Sequence, residues 1–170
     1  MDSLALLLKW EGGTVALPAR ALNDREDGGH LLVNPPQQVW ERSELSASDL
    51  TLWSFLVAAT GQAMLETLPQ LSDGCINYWE AGNWALNDQA EPVGPKDVMT
   101  HRRVHLHVLG RGRRASSLDW AWGESPRFPS FTNFRAASSV PALLTPAECR
   151  KIVERIKSLL IHKYGAADSW

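Results

Sequence analysis

The stretch His101-Arg-Arg-Val-His105-Leu-His107-Val-Leu-Gly110-Arg111 decides how this chain is to be read. In extended backbone, side chains alternate between the two faces. Arg103, His105 and His107 therefore point one way, and Val104, Leu106 and Val108 the other. That period of two predicts a strand over Val104–Leu109 with one polar and one core face, stopped at Gly110.

Upstream of it, residues 83–103 form a polar segment containing Pro92, Gly94 and Pro95, as long as a compact domain carries without a functional reason. Cys75–Trp79 before it reads as a strand, with Ile76 and Tyr78 on one side and Cys75, Asn77 and Trp79 on the other. A helix is expected from Ser46, with Asp49 three residues on as in a capping box. Leu52, Phe55, Leu56, Ala59, Ala63 and Met64 recur on one helical stripe, and Pro69 ends the run. Further back, His30–Val33 and Thr14–Leu17 read as strands closed by Pro35-Pro36 and Pro18. Between them lie a short run over Arg20–Asn23 and turn chemistry at Asn23-Asp24 and Gly28-Gly29. Downstream, Ala115–Leu144 is irregular and rich in Trp, Phe, Pro and Ser, as expected of a segment laid over a surface. Thr145 then caps a helix with Pro146 at its first position and Glu148 at its third; Ile152, Ile156, Leu159 and Leu160 form its apolar stripe. Strands, helix, strands, wrap, helix is an α+β order with an antiparallel sheet.

The chain's 170 residues predict a single domain over 1–170. Its net charge of −2 gives no extended basic footprint, which makes nucleic acid an unlikely partner despite the local cluster of Arg102, Arg103, Arg111, Arg113 and Arg114. Eight Trp point to large amphipathic side chains lining a cleft or interface. Cys75 and Cys149 lack metal-ligand spacing and read as buried thiols. The apolar run Leu4–Leu8 is too short to span a membrane and lacks the basic start and cleavage site of a signal peptide. A soluble, cytoplasmic protein is therefore expected.

Two His beside an Arg on one strand face suit phosphate binding, metal binding, or nucleophilic and acid–base work. They also suit an ordinary solvent-facing strand edge. A metal needs three or more ligands. His30 and His101 are available to join, but no carboxylate or Cys is well spaced, so no metal or other cofactor is expected.

His105-Leu-His107-Val-Leu-Gly-Arg resembles the histidine-triad (HIT) superfamily signature, His-φ-His-φ-His-φ-φ followed by Pro or Gly and Arg. Ile76-Asn77-Tyr78-Trp79-Glu80-Ala81-Gly82-Asn83 is similar to the INYxxxGN segment preceding the triad in a bacterial subgroup. Gly29-His30-Leu-Leu-Val33-Asn-Pro35 resembles that subgroup's strand ending in φφVxP. The Trp-rich stretch Asp119–Phe131 and the Thr145-Pro-x-Glu helix fit its C-terminal part, so the likeness runs in order over residues 14–160.

The resemblance implies a HIT-like α+β fold with a mid-chain and a C-terminal helix, commonly a homodimer whose sheet continues across the two-fold. It implies nucleotidyl transfer through a nucleotidyl-His intermediate on a phosphoanhydride, ester or phosphoramidate, including diadenosine polyphosphates. His105 falls at the nucleophile and His107 at the third triad position, which donates to phosphate oxygens or the leaving group. Asn77 and Asn83 match Asn positions beside the phosphates, with Asn87 a second candidate. Asn23 and Asp24 fall where a ribose contact is often found, and His30, on the strand before the Pro turn, is a further substrate-binding candidate whose plainer reading is a strand-end surface residue. Gln38 stands where a His sometimes follows that turn, so no role carries over to it.

The chain departs from the pattern twice. Arg103 occupies the first triad position, where the family uses a His to orient the nucleophilic ring. An Arg side chain clamps phosphate but cannot accept an imidazole N–H. About twenty residues also separate Asn83 from the triad strand, where the subgroup has only a few. The alternative expectation is therefore a nucleotide- or phosphate-binding protein with weakened turnover. In a rival register His105 is the first triad residue, His107 the nucleophile, and Leu109 stands third.

Overall fold

In the computed structural model, which describes residues 5–166, five strands form one sheet: β1 (Ala5–Trp10), β2 (Gly13–Leu17), β3 (His30–Asn34), β4 (Cys75–Ala81) and β5 (His105–Arg111). Their order is β1-β2-β3-β5-β4, and every neighbouring pair is antiparallel. The helices are α1 (Ala47–Thr67), α2 (Val98–His101), α3 (Phe131–Ala136) and α4 (Pro146–Tyr164). No described helix is long and apolar enough to cross a membrane.

Both long helices start where capping chemistry puts them. Ser46 Oγ accepts from the Asp49 amide at 3.1 Å. Thr145 and Glu148 close a reciprocal capping box, with Pro in the first turn of α4. The buried residues of α1 are Trp53, Leu56, Ala59, Thr60, Gly61, Ala63 and Met64, a stripe broad enough to meet β2–β5 on one side and α4 on the other. Val15, Leu31, Val33, Leu106 and Val108 face these helices and, with Ile152, Ile156 and Leu160, form the main core. Each such side chain contributes roughly 1.5–3 kcal/mol on burial.

Several boundaries move from their sequence expectations. The apolar N-terminal segment is strand β1, paired with β2 through a register shift between Leu6 and Leu8. Arg20–Asn23 is irregular because the Asn23 side-chain amide is held by the Gly110 carbonyl at 2.6 Å, a contact across 87 residues. β5 begins at His105 and runs through Gly110 to Arg111, so Val104 and Arg103 precede it. Gly110 continues the strand because the Gly28 carbonyl lies 2.1 Å from where a Cβ would stand. Cys149 is buried as expected, while Cys75 is partly exposed.

The second face of the sheet is not open. Leu22, Leu109 and Trp120 form a separate buried cluster, joined by Trp79, Trp84, Phe128 and Phe134. The segment after β5 wraps this face and is pinned by Arg111. That buried guanidinium donates to the carbonyls of Trp120 (3.1 Å), Ala121 (2.6 Å) and Glu124 (2.6 Å). The polar face of β5 is thereby roofed, leaving His105 partly buried and His107 buried.

Candidate functional site

Strand register brings three imidazoles together. His107 on β5 faces Leu32 of β3 and Trp79 of β4, and His30 starts β3 opposite Leu109. His30, His105 and His107 therefore share the roofed face. His30 Nε2 lies 2.8 Å from His107 Nδ1, and His107 Nε2 lies 3.1 Å from His105 Nε2.

The ends of this chain fix its proton positions. At one end the Leu22 amide donates to His30 Nδ1 at 3.1 Å. His30 Nδ1 is thus an acceptor and its Nε2 carries the proton. That N–H donates to His107 Nδ1, so His107 is protonated on Nε2 and donates to His105 Nε2. At the other end His105 Nδ1 is 2.9 Å from the Arg103 carbonyl, which can only accept. Three neutral rings are therefore ordered in one direction, and the chain ends on the lone pair of His105 Nε2, which accepts from His107.

Burial enforces neutrality. His30 and His107 are 2% and 9% exposed. Desolvation drives His30 down to about 3 and His107 to about 2, and the neighbouring imidazoles add to it. His105 is also held below its ordinary value, first by desolvation; the carbonyl of Arg103 opposes this and the Arg102 cation adds to it. Aromatic packing holds the His107 ring. It stacks on His30 with centroids 4.9 Å apart and leans on Trp79 at 5.0 Å, and Trp79 in turn packs on Phe128 at 4.0 Å.

A cavity of about 470 Å³ opens beside His105 and His107, lined also by Asn34, Trp79, Asn83, Trp84, His101 and Arg103. Gly82 makes the turn that delivers Asn83 and Trp84. Its φ is +142°, and a Cβ there would come within 2.8 Å of the Arg103 carbonyl. Arg102 ties the 83–103 segment down through Glu41 at 2.9 Å, the Trp40 carbonyl and Asn83 Oδ1 at 3.1 Å. Among the described residues Arg103 has no carboxylate partner, so an unpaired cation stands on the cavity wall.

Arg103 does not sit as the strand reading had it. Its guanidinium turns back to the carbonyls of Met99 (3.2 Å) and Arg102 (2.6 Å), and its backbone carbonyl is what meets His105. The third imidazole of the cluster comes from His30, a strand away. Asn83 lines the cavity as expected. Asn77 shares the sheet face but is not in the cavity wall, and its Oδ1 is buried with no hydrogen-bond partner among the described residues. Asp24 also lies away from the cavity, its carboxylate accepting from the amides of Glu26 (2.9 Å) and Ala142 (2.7 Å). Asn87 uses its Oδ1 to accept from the Gln89 amide at 2.9 Å. Asn34, Trp79 and Trp84 join the wall without having been singled out for it. Asn34 and Trp79 belong to its face by strand alternation once the register is known.

Among the described residues no group of His, Cys, Asp or Glu is arranged to hold a metal ion. The three imidazoles bond to one another in series, so their nitrogens do not converge on a common point. Searches against protein-family models and curated proteins return no match to this chain.

Proposed function

We propose that this protein is a HIT-type nucleotide hydrolase or transferase that forms a nucleotidyl intermediate on His105 Nε2. The observation that carries the reading is the one-way chain of neutral imidazoles ending in a lone pair at a cavity. A nucleophilic His must present an unprotonated nitrogen, and the geometry reserves that state for His105. The rival register is disfavoured because His107 Nε2 carries a proton and its lone pair, on Nδ1, is taken up by buried His30.

The reaction follows from the same bonds. A nucleotide ester, anhydride or phosphoramidate enters with its α-phosphate against His105. The lone pair forms an N–P bond while the bond to the leaving group breaks, its electron pair departing with that group. The His107 Nε2–H, released from His105, donates to a phosphoryl oxygen, and Arg103 supplies unpaired positive charge beside it. Water then attacks phosphorus and gives up one proton, which balances the charge carried off by the leaving group, and the N–P electrons return to His105 Nε2 as its lone pair. Phosphate placement shifts in part from the sequence expectation: Asn83, which lines the cavity, keeps its expected role, and Asn34 replaces Asn77 as the second neutral donor. Diadenosine polyphosphates remain one substrate class within this reading. The homodimer implied by the resemblance belongs to it too, with β4 as one of the two edge strands of the sheet.

The test is to mix protein of measured solution mass with the 4-nitrophenyl ester of AMP or GMP and quench in alkali. Mass spectrometry should find a nucleotidyl adduct on the peptide carrying His105. His105→Asn should abolish adduct and turnover while nucleoside monophosphate still binds, because a polar side chain of similar reach remains. An adduct on His107, or undiminished turnover in His105→Asn, would overturn the assignment. Binding without any adduct would favour the alternative of a nucleotide-binding protein that has lost turnover.

A further inference from the structure

The segment before β5 folds so as to place a third histidine at the cavity. Asp97 caps α2, its carboxylate accepting from the Thr100 amide at 2.9 Å. His101 closes that turn and lines the cavity with His105 and His107. Its Nδ1 lies 3.1 Å from the Asp97 carbonyl, to which it must donate, and this fixes the ring. Among the described residues its Nε2 has no hydrogen-bond partner.

We infer that His101 is the proton donor to the leaving group, and that the site accordingly serves nucleotide esters or phosphoramidates whose departing atom is a basic oxygen or nitrogen. This rests on the function proposed above. The other groups in the wall are unsuited to the task. Asn34, Asn83, Trp79 and Trp84 do not titrate in the neutral range, and Arg103 keeps its charge. His105 is the attacking group. His107 is held neutral by burial, and its one N–H is needed at the phosphoryl oxygen. His101 alone stands outside the imidazole chain with a nitrogen to spare.

The step balances without any further reagent. As His105 Nε2 bonds to phosphorus, the scissile bond's electron pair moves onto the departing oxygen or nitrogen. That atom takes the Nε2 proton of the His101 imidazolium, which becomes neutral. In the second half-reaction neutral His101 receives a proton from the attacking water, and the imidazolium is restored. A phosphate leaving group has little need of this help, whereas an alkoxide or amine does not depart without it. A dedicated donor is therefore of use chiefly for the basic class.

Single-turnover rates of leaving-group release from AMP methyl ester and AMP 4-nitrophenyl ester, for wild type and His101→Gln, test the inference. Wild type should cleave both. His101→Gln should lose about 100-fold or more in release from the methyl ester and less than about threefold in release from the nitrophenyl ester, whose leaving group needs no proton. Retained nitrophenolate release also reports an intact fold. Equal losses on both esters, or no loss on either, would overturn the role of His101 while leaving the His105 reaction standing. Wild type cleaving only the nitrophenyl ester would equally overturn it. Wild type cleaving neither would remove the proposed function and this inference together.

Discussion

Because His105 is oriented by the Arg103 carbonyl, 2.9 Å from its Nδ1, the side chain at position 103 is free to vary without disturbing that contact. The sequence alone puts the emphasis elsewhere: Arg in place of a triad His looks like the loss of an orienting ring. Backbone acceptors are invisible in a sequence, and so is the arrival of His30, which meets His107 across 77 residues through the β3–β5 register. Arg103→His is therefore expected to give no faster single turnover than wild type. It should weaken nucleoside monophosphate binding by about tenfold, as a fixed cation beside the phosphate is lost. Rapid quench and calorimetry measure the two effects. A variant several-fold faster, with unchanged affinity, would mean that the side chain governs the ring after all.

At the scale of elements, what was legible depended on how local the determinant is. α1 and α4 announce their starts through Ser46 and Thr145, and α4 its stripe through Ile152, Ile156, Leu159 and Leu160, because caps and helical periodicity act within a few residues. The strands around the His motif were legible by alternation, but their pairing was not. β1 needed β2 to define it, and the Arg20–Asn23 segment answers to Gly110 rather than to its own composition. The wrap over the His face was readable as a covering segment from its Trp, Phe and Pro content, whereas its anchor at Arg111 was not. Arg111→Met should strand the carbonyls of Trp120, Ala121 and Glu124 and cost about 3 kcal/mol. The loss should be local: hydrogen exchange should quicken over residues 118–134 while the amides of α1 keep their protection. Uniform deprotection would show instead that the wrap and the helical core unfold as one unit.

For the molecule as a whole, the imidazole chain makes stability depend on pH at a place where carboxylates do not. His30 at about 3 and His107 at about 2 lie below the ordinary value of 6.5. The unfolded chain therefore takes up protons that the folded one refuses, so stability falls as pH drops below about 6.5. Each ring withdraws up to about 1.4 kcal/mol per pH unit, or about 3 kcal/mol per unit for the two together. Glu66 and Glu148, whose folded values are depressed, contribute stability that is lost only below the usual Glu range. Between pH 6.5 and pH 5 the histidines thus act largely alone. Urea unfolding at half-unit intervals should show a steep decline over that range. His107→Gln should be weaker at pH 7 and markedly flatter towards pH 5, because a glutamine has no proton to refuse. If the wild type loses under about 0.5 kcal/mol per unit there, the buried rings accept protons in the folded state. The neutral one-way chain that presents the His105 lone pair would then not be the resting arrangement of the site.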